Sequence, residues 1–310
     1  MTLLHSFGAA VPSRAVTNEE LSPLVGRTPE WILNVSGIQE RRWAGEETSV
    51  VDLAAEAARD CLNRAGLAAR ELGMILLSCS SGHRQFPGPA VQLAQRLELT
   101  ATPAIDIPLA SAGALFGMSL AADLAPTRGP ILVVAAEIMS RIAMRAPQDS
   151  AVSVLFGDGA GACLIHPDQG IARIRGSLLG SDGSFADDLK LEFGSGISMN
   201  GRSVILQATR KLPRVISDLL ARLNLKAGDV GTFLMHQANQ NLIDKVADTL
   251  GVDRSLFFSN IRRYGNTSSA SMLIAASEWA ADARLRSGEL ICFAAFGAGF
   301  NWGALLAEAP

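Results

Sequence analysis

The chain has 310 residues, and with 48% hydrophobic and 18% charged side chains it can bury a large core, of a size that suggests about two domains or one double unit. Lys plus Arg number 27 against 30 Asp plus Glu, a net charge of -3, which gives no basic footprint for a polynucleotide and excludes nucleic-acid binding as a class. Cys61, Cys79, Cys163 and Cys292 form no C-x-x-C pair and read as buried free thiols. Residues 1–16 lack a basic start followed by an apolar core, and no apolar run reaches the roughly 18 residues of a membrane span. A cytoplasmic protein with no membrane partner is the expectation.

Thr17 and Glu20 have the spacing of a capping box and open a short helix through Val25. A second helix is predicted from Pro29, carrying Trp31 and Ile32. Residues 50–65 repeat Ala, Leu and Cys at helical spacing, with Glu56, Arg59, Asp60 and Arg64 on other faces, so an amphipathic helix is predicted. Short, punctuated apolar runs at 74–79, 104–107, 131–136 and 152–156 then read as buried strands, separated by helices at 89–99 and 112–124. Beyond Gly170 the pattern recurs: helix 207–223, strand 232–235, helix 241–250, helix 269–283, strand 290–295. Residues 129–136 and 288–295 are alike in composition and setting, which suggests a duplicated α/β unit. Because sites in such sheets collect beyond the carboxyl ends of strands, Ser111, His236 and the turn at Asn266 fall in comparable places.

Each of these residues also has an ordinary structural reading. Ser111, before Ala112-Gly113-Ala114, has the place of a helix N-cap, or of a nucleophile at a positive helix end. His236 ends an apolar strand and precedes Gln237-Ala238-Asn239; it is a core or rim histidine, or a site residue. His5, His83 and His166 form no ligand spacing with it, so no metal is expected. Asn266, in Tyr264-Gly265-Asn266-Thr267-Ser268, reads as an Asx turn before a helix. The glycines of 157–161 lead into another apolar run and end in no Lys-Ser/Thr, so close backbone packing explains them better than nucleotide binding.

Taken in order, these segments resemble the β-ketoacyl-acyl carrier protein synthase III family, from residue 11 to the end. The motifs are Glu30-Trp31-Ile32, Ser36-Gly37-Ile38-Gln39-Glu40-Arg41, Phe86-Pro87, residues 106–113, Phe156-Gly157-Asp158-Gly159-Ala160-Gly161, His236-Gln237-Ala238-Asn239, Tyr264-Gly265-Asn266-Thr267-Ser268 and Phe296-Gly297-Ala298-Gly299-Phe300. The resemblance implies an α/β, thiolase-like fold of two related halves in αβαβα layers. Residues 1–166 would hold the nucleophile position and residues 167–310 the His/Asn pair.

By the same resemblance, position 111 carries the acyl group, with serine where the family has its nucleophilic cysteine. His236 and Asn266 would donate hydrogen bonds to the enolate formed when a malonyl thioester loses carbon dioxide, and the backbone N–H groups of Ser111 and Ala298 would form an oxyanion hole. Trp31 would lie against the coenzyme A adenine. Phe86 would cross a homodimer interface to bound the partner's acyl pocket, and Phe156, Asn239 and Phe296 would line the substrate path. The implied partners are acyl-coenzyme A, a malonyl thioester and an acyl carrier protein, with no cofactor and no metal. The usual arginines near the adenine correspond here to Val35 and Ser150, and the basic carrier-guiding positions to Leu206 and Asn241. Arg145, Arg202, Arg210 and Lys211 are the cations left to substitute.

Three functions compete. The leading one is decarboxylative condensation of an acyl thioester, with Ser111 either natural or an engineered trap. The others are acyl transfer to an oxygen or nitrogen acceptor, and a non-catalytic acyl-binding subunit. Retention of both His236 and Asn266 argues against the last.

Overall fold

The first strand, β1 (Leu3–Ala10), lies at the middle of the fold and was not marked by the sequence pattern; it is followed by β2 (Ala15–Thr17). The computed structural model describes residues 2–146, 148–283 and 285–310. Helix α1 (Asn18–Val25) is capped by Thr17, whose Oγ1 accepts from the Glu20 N–H at 3.3 Å. The return arm of the predicted capping box is not made, because the Glu20 carboxylate pairs with Arg14. Helix α2 (Pro29–Ser36) starts on a Thr28 cap, and β3 (Glu40–Arg42) pairs with β2 in a small ribbon. Helix α3 (Val50–Ala65) has the range read from the sequence and a complete Ser49/Asp52 capping box.

Next come β4 (Met74–Ser78), α4 (Pro89–Arg96), β5 (Ala104–Ile107), α5 (Gly113–Arg128), β6 (Ile131–Ile138), α6 (Ser140–Ala143) and α7 (Ser150–Ser153). The strand expected over 152–156 is therefore not formed. The Asp149 carboxylate accepts from the Ala151 N–H at 2.9 Å and caps a helical turn instead. The strand begins later, as β7 (Asp158–His166), across the glycines. These glycines serve packing, since a Cβ on Gly161 would stand 2.5 Å from the Leu273 Cβ. The remainder is β8 (Ala172–Ser181), β9 (Leu189–Lys190), β10 (Ser198–Met199), α8 (Gly201–Arg222), β11 (Val230–Met235), α9 (Gln240–Leu250), α10 (Ile261–Tyr264), α11 (Ser271–Asp282), β12 (Leu290–Gly297) and β13 (Asn301–Glu308).

Nine strands run in the order β11-β12-β13-β8-β1-β7-β6-β4-β5. The run β4-β6-β7-β1 and the run β11-β12-β13-β8 share one pattern of parallel, antiparallel and antiparallel pairing. Within the sheet the two wings join through β1 and β8, at Leu3↔Arg173 and Leu4↔Ala172. Helices α5 and α11 are apolar on most faces, and the residues Ser271 to Ser277 are buried in an unbroken row. A helix of that kind belongs between layers. These two fill the middle, where Phe7 of β1 and Phe293 of β12 stack with ring centroids 6.0 Å apart. Amphipathic α3 covers the outside of one wing and α8 the outside of the other. The result is the layered thiolase-type α/β architecture, and it brings the β5–α5 junction, the end of β11 and the start of α11 to one place.

Candidate active site

Ser111 sits between β5 and α5 with φ 64, a left-handed conformation that is uncommon for a residue other than glycine. It is not the helix cap that its position suggests: the N-cap place belongs to Ala112, and no side chain caps α5. The Ser111 N–H donates to the Ser268 hydroxyl at 3.2 Å, and Ser268 itself has φ 48. Gly297, at the end of β12, runs against this elbow. A Cβ there would lie 2.2 Å from the Ala110 carbonyl oxygen and 2.9 Å from the Ser111 Cβ, so only glycine lets the strand end come so close.

His236 follows β11 and its N–H donates to the Ala294 carbonyl at 2.9 Å. The side chain is 5% exposed, and burial pushes its pKa down from 6.5 to about 4, so the imidazole is neutral near pH 7. Its Nδ1 lies 2.6 Å from the Ser271 hydroxyl, which also accepts from the Gln237 N–H at 3.0 Å. Asn266 makes the Asx turn expected of it, its Oδ1 accepting from the Ser268 N–H at 2.8 Å. Its own N–H donates to the Leu155 carbonyl and its carbonyl accepts from the Gly157 N–H, so backbone bonds hold it on both sides. With Oδ1 engaged, the amide end left for a ligand is the donor Nδ2.

Ser111, His236, Asn266, Phe156, Asn239 and Phe296 line one cavity of about 110 Å³, whose remaining wall is largely apolar side chains of α8 and the β9–β10 hairpin. A second cavity of about 60 Å³ shares Ser111, Phe156 and Leu189 with the first and adds Ala298, Met139, Leu191 and Ile197. Among the described residues no carboxylate lines either cavity, and Lys190 is the one charged side chain. His236 therefore has a hydroxyl, not a carboxylate, behind its ring, and the arrangement is not a hydrolase triad. What it offers is two hydrogen-bond donors and a serine at a helix end, within an apolar enclosure that raises the strength of each donor.

Other residues named from the sequence lie differently. Asn239 touches the larger cavity, yet its Oδ1 caps α9 and its Nδ2 donates to the Val35 carbonyl at 2.7 Å, so its amide is engaged at both ends. Trp31 lines neither cavity and lies under the Arg27 guanidinium, 4.8 Å from the ring centroid; Arg27 Nε also donates to the Ser150 hydroxyl at 3.0 Å. Phe86 also lines neither cavity and is 85% exposed. Lys211 is engaged by Asp182 at 3.2 Å and by the Trp302 ring at 3.8 Å, and the Asn241 amide donates to the Asn34 carbonyl at 3.1 Å. Sequence reasoning missed Arg27, Ser268, Ser271 and the buried Glu137. Glu137 accepts from the N–H and hydroxyl of Ser80 and of Ser81 and from the Ser269 hydroxyl, binding the loop after β4 to the turn that precedes α11. For the serines and their partner Glu137 the one signal was the density of serines at 78–81 and 268–271, and Arg27 had none. Among the described residues no group of three or more His, Cys, Asp or Glu is placed to hold a metal, and no helix is long and apolar enough to cross a membrane.

Comparison with known proteins bears on the family and the fold. Residues 105–183 match the family described as 3-oxoacyl-[acyl-carrier-protein (ACP)] synthase III, and residues 220–309 match that described as 3-oxoacyl-[acyl-carrier-protein (ACP)] synthase III C terminal. The chain is similar to the beta-ketoacyl-[acyl-carrier-protein] synthase III of Nitratidesulfovibrio vulgaris, at 35% identity over 98% of each chain. It is 36% identical to that of Gloeobacter violaceus, over 97% of this chain and 96% of the other. Among solved structures it is similar to the 3-oxoacyl-[acyl-carrier-protein] synthase III from Aquifex aeolicus, with TM-score 0.94, 32% identity and 99% and 100% of the two chains covered. It is also similar to the priming beta-ketosynthase of the R1128 polyketide pathway, with TM-score 0.91, 27% identity and 100% and 97% covered.

Proposed function

The chain belongs to the 3-oxoacyl-[acyl-carrier-protein] synthase III family of acyl-transferring enzymes, and from that premise we propose that it joins an acyl group held on Ser111 to a malonyl thioester. The observation that carries this reading is the meeting of Ser111, neutral His236 and the Asn266 Nδ2 in one apolar cavity. In the first half-reaction the Ser111 Oγ attacks the thioester carbonyl, and as the C–S bond breaks the hydroxyl proton passes to the departing sulfur, which leaves as the thiol. The acyl chain then lies in the smaller cavity. In the second, the malonyl thioester oxygen accepts hydrogen bonds from His236 and Asn266 while the bond to the carboxylate breaks. Carbon dioxide departs and the electron pair becomes the enolate. The enolate carbon attacks the Ser111 ester, the tetrahedral oxygen turns to the Ser111 and Ala298 N–H groups, and collapse gives the 3-ketoacyl thioester while the expelled serine oxygen takes a proton from solvent. The Ser268 hydroxyl, which holds the Ser111 N–H in the resting chain, must give way or share at that step.

A homodimer accompanies this proposal. It is supported by β5, the outermost strand, whose Ile105 is 49% exposed, and by the exposure of Phe86. A second reading, acyl transfer to a hydroxyl or amine acceptor, is favoured by serine at 111 and by the absence of cations at Leu206 and Asn241. The test is intact-mass measurement after incubation with a panel of acyl-coenzyme A thioesters, followed by malonyl-coenzyme A and a product assay. A mass gain on Ser111 that is discharged into a 3-ketoacyl product supports condensation. Discharge only by a hydroxyl or amine acceptor supports the second reading.

A further inference from the structure

We propose that Ser271 is a positioning residue which fixes His236 as the Nε2–H tautomer, so that the ring presents the cavity with a donor and never with a proton acceptor. The inference deepens the condensation reading and rests on it for the role of His236. Ser271 begins α11 and is 2% exposed, so no bulk water serves its hydroxyl. The oxygen already accepts from the Gln237 N–H at 3.0 Å, and the hydroxyl hydrogen has one remaining partner among the described residues, His236 Nδ1 at 2.6 Å. A buried hydroxyl that withheld its hydrogen from Nδ1 would leave that hydrogen desolvated and unbonded, which is unfavourable. The ring is neutral, so one nitrogen carries the proton; with Nδ1 accepting, it is Nε2. Nε2 makes no hydrogen bond to the described protein, and His236 lines the cavity that holds Ser111.

Two consequences follow from one hydroxyl. Nε2–H is ready to donate to a developing enolate without any proton rearrangement. The same proton occupies the only lone pair that could have received one from Ser111, so His236 is barred from acting as base in acylation. Donor and base are alternative states of one imidazole, and Ser271 selects the donor.

The test uses the full chain labelled with 15N-histidine, the His236 signals being assigned with His236→Gln. Wild type is expected to show an unprotonated Nδ1 and a protonated Nε2. Ser271→Ala is expected to mix or invert this signature and to lower kcat for malonyl-coenzyme A decarboxylation by roughly 10- to 100-fold with KM unchanged, less than the 10²–10³ that deleting an oxyanion donor costs. Ser271→Thr, which keeps the hydroxyl, should restore both readouts. A wild-type spectrum with the proton on Nδ1 overturns the proposal, as does a Ser271→Ala enzyme with unchanged spectrum and kcat. If Ser271→Ala does not fold, the wild-type spectrum decides alone. Wild type without decarboxylation defeats the condensation reading, while the spectrum still decides the tautomer.

Discussion

Replacing Ser111 with cysteine tests the nucleophile directly. The Ser111 Oγ makes no hydrogen bond to the described protein, no carboxylate among the described residues lines its cavities, and His236, the candidate base that shares the larger cavity, has Ser271 at Nδ1. Acylation of the hydroxyl therefore forgoes general-base assistance, which is worth roughly 10² to 10⁴ in rate. A thiol does not need that help. Its ordinary pKa of about 8.5 leaves about 3% thiolate at pH 7. The start of α5, uncapped by any side chain, contributes at most about 2 kcal/mol to an anion, enough to bring the pKa to about 7 and the thiolate to about half. Ser111→Cys should thus raise the acylation rate by several orders of magnitude, roughly 10² to 10⁴ from the base requirement alone. Stopped-flow release of coenzyme A, read beside intact mass, measures it. Equal acylation rates for the serine and cysteine enzymes would overturn the unassisted-hydroxyl mechanism, because a base outside these cavities must then act on Ser111.

His236→Ala and Asn266→Ala should each cut malonyl decarboxylation by about 10² to 10³, some 2.7–4 kcal/mol, while circular dichroism stays native; unchanged decarboxylation removes that residue from the mechanism. Phe86→Ala should lengthen the acyl chain accepted and weaken the dimer, because an exposed aromatic before Pro87 projects as a wedge; an unaltered donor profile in a monomeric protein would count against both. Acid should destabilise the fold through His236. The unfolded residue takes up a proton below pH 6.5 and the folded one resists until about pH 4, so stability present above 6.5 is lost as the pH falls through that window. At about 1.36 kcal/mol per pKa unit the loss comes to roughly 3–4 kcal/mol, and thermal melts of His236→Gln should fall less steeply with acid than those of wild type. Parallel melting curves would refute it.

Helix α3 was legible residue for residue because a capping box, an amphipathic repeat and a terminal glycine all lie within the segment. Strands β4, β5, β6 and β12 were legible for the same local reason, as short apolar runs bounded by turn residues, although β5 lies at the sheet edge with Ile105 exposed and is not the buried strand its composition suggested. Strands β1, β8 and β13 were not, since pairing with residues distant in the chain places them: β1 joins β7 and β8, and β13, which folds back on β12, is held on its other side by β8. The run 152–156 carried a strand's composition, yet its start belongs to a helical turn that Asp149 caps and that backbone bonds continue through Leu155.

The site divides along the same line. Ser111, His236 and Asn266 could be named from the chain because each ends or begins an element whose period is visible locally. Their meeting depends on two wings joined at two residue pairs, with α5 and α11 packed between them, and no local pattern encodes that packing. The state of each group was decided there as well. Ser268 took the Ser111 N–H, burial removed the charge from His236, and Ser271 stood at Nδ1, because residues 35 to 157 positions apart in sequence were brought within hydrogen-bond reach. Residue type supplied the chemistry available, and tertiary burial, by removing water, selected which hydrogen bonds each group must make.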